Sequence, residues 1–506
     1  MTEAEHTRQN SAIGGTVFCA VLAAGLLLLT GCLVGPKYER PSALGTNALP
    51  SAFSGAAAAT NATVWKTAEP SAHLPRGAWW ELFKDPELNR LESLAASGNQ
   101  DLAAAVARFE QARQFVHVAR ADLYPQVSLD PNYVRQRTSV NQPLSGKAAG
   151  AVFNYGTLTV PLDAGWELDF WGRVRRQVEA ARARFSAGAD DLQGVALAIQ
   201  AELATDYFAL RAAEADYDLL QRSAEAYRRS LALTRNRRQG GIATDLDVAQ
   251  AEAQLRATEA EIPASELQAA RLRHALAALC GQSATGFTIT RAPALSTEIP
   301  VVPSTLPSEL LERRPDIAAA ERRMAAANAE VGVAQTAFYP RVHLNGTAGF
   351  QSVSAGTLFD WPSRLWAVGP TLDLPLFTGG RNRARLALVR SAYDESVAQY
   401  RQNVLAAFQE VEDQLAAGRL LTIQLEAETA AMVAARRTLE IANNRYTAGL
   451  VTYLEVAVAQ SAALDRERTV VQLSAQRLTT SAGLIRALGG GWSSADTTGP
   501  GLSAKE

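Results

Sequence analysis

The chain of 506 residues has little of what most catalysis needs. Cysteine occurs three times, as Cys19, Cys32 and Cys280, and histidine five times, scattered as His6, His73, His117, His274 and His343. No two of them have the spacing of a metal site, so no metal is expected. There is no glycine-rich phosphate loop and no nucleophile elbow, so an enzyme is not indicated, no cofactor is called for, and no ATP-driven motor is present. Formal net charge is only −2, which gives no electrostatic basis for a nucleic-acid or other polyanion partner. Beyond the first thirty or so residues no run of about 18 apolar residues occurs, so no second membrane-crossing helix is expected.

What the sequence does have begins with an address. Ile13 to Leu29 are mostly apolar, follow a polar start that includes Arg8, and end in Leu29-Thr30-Gly31-Cys32. An apolar run with small residues before a cleavage point is the pattern of a secretory signal. This tetrapeptide resembles the bacterial lipobox, whose cysteine is lipidated and becomes the new N terminus. Cys32 is therefore expected to carry acyl chains, each buried methylene adding about 0.8 kcal/mol of anchoring. Leu33 stands where an Asp usually holds a lipoprotein in the inner membrane, so the outer membrane is the expected destination. Cys280 is left alone, a small buried residue at a helix end, and no internal disulfide is expected. His343 reads as an ordinary polar lining residue.

The chain contains one unit twice. Asp101-Leu102-Ala103 recurs as Asp316-Ile317-Ala318, and Leu123-Tyr124-Pro125-Gln126-Val127 as Phe338-Tyr339-Pro340-Arg341-Val342, at an offset of 215 (Tyr124 to Tyr339). Gly172-Arg173 recurs as Gly380-Arg381, and Arg237, Gly241, Thr244, Leu246 and Val248 as Arg445, Gly449, Thr452, Leu454 and Val456, at an offset of 208 (Gly241 to Gly449). Identity held in register over such lengths indicates duplication.

Each unit reads as helix, β-hairpin, very long helix, turn, helix. Helical stretches Asn99 to Ala121 and Pro315 to Ala337 end at Tyr-Pro, which forces extended backbone. Beyond each lie two runs of strict alternation, such as Leu158, Val160, Leu162, Ala164, Trp166 and Leu168 between polar neighbours. Val127, Leu129 and Tyr133, then Val342, Leu344 and Phe350, then Trp366, Val368 and Leu372 follow the same period of two. Strands of about 9–11 residues with one apolar and one polar face fit an outer-membrane barrel. Gly172 to Gly241 and Gly380 to Gly449 are nearly uninterrupted Ala, Leu, Arg, Glu and Gln without proline. At 1.5 Å per residue each makes a helix on the order of 100 Å long, which suits a tube rather than a globular core. Glycine stands at the cap position that ends each one. Four lipid-facing strands cannot close, because barrels start at about eight and open edges are not tolerated in hydrocarbon, so more than one chain must contribute.

At this point the residues resemble the outer-membrane factor family, the efflux channels that work with resistance-nodulation-division pumps, and its lipoprotein branch in particular. The marks are Cys32-Leu33-Val34-Gly35-Pro36-Lys37-Tyr38-Glu39-Arg40-Pro41, Trp79-Trp80-Glu81-Leu82-Phe83 with Asp85-Pro86-Glu87-Leu88, Leu311-Glu312-Arg313-Arg314-Pro315-Asp316-Ile317, and Arg445-Tyr446-Thr447-Ala448-Gly449. The resemblance implies an α+β membrane protein: a homotrimer whose 12-stranded β-barrel continues as a periplasmic α-helical barrel. Its implied partners are a periplasmic adaptor (membrane fusion protein), an inner-membrane pump and outer-membrane lipid. By position it maps adaptor contact onto the tips Gly241, Ile242, Ala243, Thr244, Gly449, Leu450, Val451 and Thr452. A channel gate falls on Asp247 and Tyr446 as a linking pair, with Glu455 as an acidic ring. Val458 and Val451 replace an acid and an Arg found in some members, so the constriction is expected to carry less charge and a weaker latch.

The expected organisation is a signal peptide at 1–31, a lipidated and equatorial segment at 32–98, and a first repeat at 99–282 with strands at about 126–168 and a helical hairpin at 172–281. A linker follows at 283–314, then a second repeat at 315–489 with strands at about 341–375 and a hairpin at 380–489, then a Gly-, Ser- and Thr-rich disordered tail at 490–506. The rival reading is a periplasmic adaptor-type lipoprotein with helical hairpins. Two equal hairpins, each preceded by a lipid-type strand pair, argue against it.

Overall fold

Proline and glycine punctuate the chain into its elements. The computed structural model describes residues 33–44, 78–139, 154–291 and 314–490. The leader, Cys32, most of the extended segment Pro41 to Ala78 and almost all of the C-terminal tail lie outside the described residues.

After a 3-10 turn at Trp79–Phe83 come α1 (Pro86–Gly98) and α2 (Gln100–Ala121). Strands β1 (Gln126–Leu129), β2 (Asn132–Arg137) and β3 (Asn154–Leu168) follow, then α3 (Arg173–Gln239) and α4 (Asp245–Leu279). The second round is α5 (Pro315–Thr336), β4 (Arg341–Ser352), β5 (Arg364–Asp373), α6 (Arg381–Thr447) and α7 (Tyr453–Ala487). The two long helices have the same length, 67 residues, and so do the two return helices, 35 residues. Among the described residues no helix is long and apolar enough to cross a membrane.

The described residues divide into two compact units, and each draws on both repeats: those within 1–40, 110–186 and 321–398 form one, and those within 41–109, 187–320 and 399–506 the other.

The first unit holds the sheet, antiparallel throughout, in the order β1 and β2 beside β3, then β4, then β5. Its first strand is broken, although the alternation in the sequence runs straight through. Asp130 and Pro131 interrupt it without shifting register, since Leu129 faces Leu162 and Asn132 faces Thr159. The cause lies on both strands. Pro131 and Pro161 each lack an N–H, so Asp130 donates to the Pro161 carbonyl at 3.3 Å and Pro161 cannot reciprocate. On its other side Pro161 is paired with Gly349, where a Cβ would come within 2.2 Å of the Val160 carbonyl oxygen. Only glycine fits so close an approach.

The second unit is helical, with its core in two clusters. One joins Trp79, Phe83, Leu88 and Leu91 to Leu203, Tyr207, Leu210 and Leu276. The other joins Leu220, Tyr227 and Leu255 to Tyr446, Tyr453 and Val456. Asp85 caps α1 by accepting from the backbone N–H of Glu87 and Leu88 at 2.9 and 3.2 Å, with Pro86 at the first helical position, an arrangement that satisfies orphan donors at no conformational cost. The buried face of α1 is Leu88, Leu91 and Ala95, and the buried free thiol of Cys280 donates to the Leu91 carbonyl.

Glu92 shares that apolar face. It is 1% exposed and neither carboxyl oxygen has a hydrogen-bond partner. Burial pushes its carboxyl from 4.5 up to about 9. At neutral pH the folded chain holds it protonated while the unfolded chain ionises it, so stability falls as pH rises between those two values. Glu92→Gln is expected to stabilise the protein on the order of a few kcal/mol near neutrality, and by more at pH 8 than at pH 5. Scanning calorimetry at both pH values reads this directly, and an equal gain at both would mean the carboxyl is not held neutral.

Candidate functional site

Two regions carry functional chemistry, and each belongs to one unit. In the first unit the ladder sorts side chains by face. One row across the sheet is Leu129, Leu162, Ala348 and Trp366, and the row two residues along is Val127, Ala164, Gly346 and Val368. The row between them is Ser128, Asp163, Thr347 and Ala367. One face is therefore apolar through these rows, with Arg135 and Arg137 of β2 at its far end, and it is bare: Trp366 is 73% exposed, Val368 68% and Leu372 64%. An unpartnered apolar sheet face of this extent is a lipid or protein contact surface.

The opposite face is polar and cross-linked by side chains. Thr347 donates to the Asp163 carboxylate, Asn345 to the Thr371 hydroxyl at 3.0 Å and Gln351 to the Thr159 hydroxyl at 3.3 Å. Arg173 forks onto both oxygens of Glu167 at 2.7 and 2.6 Å, which holds the start of α3 beneath β3. Asp163, Glu167, Arg173, His343, Asn345 and Thr347 line a hollow of about 600 Å³. Among the described residues no group of acids, histidines and cysteines could hold a metal ion.

In the second unit the two helical turns lie side by side. Helix α3 ends where Gly241 takes φ +74°, with Ile242 donating to the Arg237 carbonyl at 2.8 Å. Helix α6 ends the same way at Gly449, φ +78°, with Leu450 donating to the Arg445 carbonyl at 2.9 Å. Left-handed glycine closes each helix and satisfies its last carbonyls. The residues just beyond are exposed and apolar: Ile242 by 69%, Leu450 by 71%.

Asp247 joins the two turns. Its Oδ2 accepts from the Thr244 amide at 2.8 Å and the Thr244 hydroxyl at 2.7 Å, a capping box on α4. Its Oδ1 accepts from the Tyr453 amide at 3.2 Å, the first residue of α7. Thr452 provides no side-chain cap of its own, so one carboxylate caps two helices. Burial opposes its charge, but the hydrogen bonds from Thr244 and Tyr453 and the nearby Arg237 outweigh burial and hold the carboxyl below its ordinary value.

The proposed linking pair is not directly bonded within one chain. The Tyr446 hydroxyl donates to Thr234 at 3.1 Å, deep in the cluster, while Asp247 is engaged by Thr244 and Tyr453. Arg237 bridges between the turns: it donates to the Thr447 carbonyl at 3.0 Å and lies 4.7 Å over the Tyr446 ring, a cation–π contact. Glu455 pairs with Arg445 at 3.4 Å, both half exposed. Sequence reasoning missed the residues behind these turns. Tyr453 donates to Gln460, which donates to Ser230, and Tyr227 donates to the Gln460 carbonyl, so α7 is fastened to α3 by a buried polar ladder. The match of Arg237 to Arg445 between repeats was the one available signal.

The sequence pattern of the outer membrane efflux protein family matches residues 91–282 and 306–490. The outer membrane protein OprJ of Pseudomonas aeruginosa is 34% identical over 468 residues, covering 92% of this chain and 94% of that protein. The probable efflux pump outer membrane protein TtgC of Pseudomonas putida is 31% identical over 476 residues, covering 93% and 95%. The solved outer-membrane channel OprN superposes with a TM-score of 0.82 at 32% identity, over 91% of this chain and all of that one.

Proposed function

The chain belongs to the outer membrane efflux protein family, and we propose that three copies of it form the exit duct of a tripartite efflux system. The duct is lipid-anchored at Cys32, conducts passively, and takes energy and selectivity from an inner-membrane pump of the resistance-nodulation-division type through a periplasmic adaptor. The observation that carries this reading is the sheet: four strand positions, one continuous apolar face, and two outer edges, β1–β2 and β5, with one neighbour each.

Duplication extends the ladder beyond one chain. The junction between repeats inside the chain is β3 on β4, where Leu168 faces Val342 and Asp163 faces Thr347. Shifting β3 by 208 gives β5 and shifting β4 back by 215 gives β1–β2, the same offsets that relate the repeats. The β4–β5 ladder reproduces the β1–β3 ladder under those offsets, Arg341 on Asp373 matching Gln126 on Gly165. The junction between copies then sets Thr371 opposite Asn132 of the neighbouring copy and Leu376 opposite its Val127. This register sets Leu372, Leu374 and Leu376 opposite Pro131, Leu129 and Val127, so these apolar rows continue from chain to chain, while Arg135 and Arg137 meet Val368 and Trp366 at the far end; closing it three times yields a 12-stranded barrel.

At the helical turns, Gly241, Ile242, Ala243 and Thr244 with Gly449, Leu450, Val451 and Thr452 offer the adaptor an apolar docking edge. Asp247 and Tyr446 fasten the turns of one protomer together and so hold the duct closed, with Glu455 lining the constriction. The adaptor reading has no use for a sheet bare on its apolar face. Purified from membranes and added to planar bilayers, the mature protein is expected to open ion-conducting channels; complete absence of conductance from correctly assembled protein would refute the duct.

A further inference from the structure

The N-terminal strap after Cys32 is held by a site that no symmetry of the fold requires. Val34 donates to the Trp171 carbonyl at 3.1 Å. Arg176, 2% exposed, donates from Nε to the Val34 carbonyl and from Nη2 to the Gly35 carbonyl, both at 3.1 Å, while Nη1 pairs with Glu179 at 2.8 Å. Gly35 takes φ +112°, and a Cβ there would lie 2.5 Å from the Gly332 Cα. A Cβ on Gly332 would in turn meet the Arg176 Nε at 2.9 Å. Further along, Asn328 donates to the Pro36 carbonyl at 3.2 Å, and Arg40 pairs with Glu321.

Both members of this contact break the duplication. At the repeat offsets, Arg176 corresponds to Ala384, and Gly332 to His117. Each chain thus has one such place, as it has one strap. A buried guanidinium donating to backbone carbonyls is a strong, directional clamp, because unmaking it would leave charge desolvated. The strap also meets the wall at a particular height. Leu33 packs against Gly172, where a Cβ would come within 2.5 Å of the Leu33 Cδ1, four residues past the last apolar row of β3. Next to it Trp171 donates to the Pro340 carbonyl at 2.8 Å and stacks on Tyr339 at 4.9 Å, the aromatic pairing that suits a membrane–water boundary. Cys32 is one Cα step of about 3.8 Å from Leu33.

We propose that Arg176 and Gly332 form a socket for the strap Leu33–Pro36, and that this socket fixes where the anchor enters the bilayer: at the foot of the barrel wall. Arg176 is a positioning residue for the acyl chains, coupling anchor to barrel rather than leaving it on a free tether. The inference rests on the reading that Cys32 is lipidated.

The test is limited trypsin digestion of the purified mature protein in detergent, followed by mass measurement. Lys37 is exposed at the surface of the strap, yet its peptide bond is pinned on both sides. Wild type is expected to resist cleavage after Lys37. Arg176→Met is expected to be cut about a hundredfold faster, since cleavage follows the population of the opened strap. Gly35→Val lies in the strap itself, leaves barrel packing untouched, and is expected to be cut likewise; it carries the test if Arg176→Met fails to fold. Wild type cut as fast as the variants, or both variants as resistant as wild type, would overturn the socket. The mass of the Cys32–Lys37 fragment reports separately on the lipid: an unacylated fragment would remove the lipid reading whatever the cutting rates show.

Discussion

Oxidation of a chain carrying Asn132→Cys and Thr371→Cys is expected to convert most of it into covalently closed trimer, while either single variant stays uncrosslinked. The two residues lie on opposite edges of the sheet in one chain, with β3 and β4 between them. At about 4.8 Å per strand, and with their rows eight residues apart at about 3.3 Å per residue, they are some 30 Å apart, beyond disulfide reach. Across the junction between copies they are directly opposed. Facing residues of antiparallel strands have Cα atoms about 4.5–5.5 Å apart, inside the disulfide window. Both belong to the polar face and are exposed, so oxidant has access. Asn132→Cys with Gly369→Cys is the control. A displacement of two residues along the strand places those Cα atoms about 8 Å apart, and crosslinking should be slow. Efficient crosslinking of the control pair instead would move the register, and none from either pair would remove the junction.

Asp247→Ala should raise the open fraction of the channel in planar bilayers by at least an order of magnitude. It removes the cap on α4, about 1 kcal/mol, and strands the Tyr453 amide, about 1–3 kcal/mol more. Asp247→Asn keeps one acceptor oxygen, enough for one of the two helices, and should lie between wild type and Ala. Tyr446→Phe loses only the bond to Thr234 and keeps the Arg237 stack, so its effect is smaller. Acid should mimic the substitution. The Asp247 carboxyl is held below its ordinary value of 3.8 by Thr244 and Tyr453, so its contribution is complete above that value and is lost as pH falls through the lower folded value. Conductance flat in pH down to about 5 and rising only below the ordinary carboxylate range is the expected profile. Equal conductance for wild type and Asp247→Ala would separate the helix-capping role from any gating role.

Much of the architecture was legible because it is periodic. Two offsets and a period of two marked the strands and the facing of Leu162 or Trp366, and proline-free composition between glycines marked both long helices. The break at Asp130-Pro131 was not legible, because the alternation continues through it and its cause, Pro161, sits on the facing strand. The tips were found by their glycines, yet the partners of Asp247 and Tyr446 were not. Tyr453 and Thr234 are 206 and 212 residues away from them in the chain, and only folding decides which of many nearby hydroxyls and amides meets each one. Glu92 lies four residues from Leu88 and one from Leu91, on the edge of an amphipathic stripe, where helical spacing alone gives no reason to expect a carboxyl sealed from water.

If a wall of four strand positions becomes a pore only when copies share it, the mature protein in detergent has the mass of three chains, which native mass spectrometry reads. Three copies per particle, persisting at low concentration and collapsing only on heating, is the expected result. A stable, folded single chain that needs no detergent would contradict it.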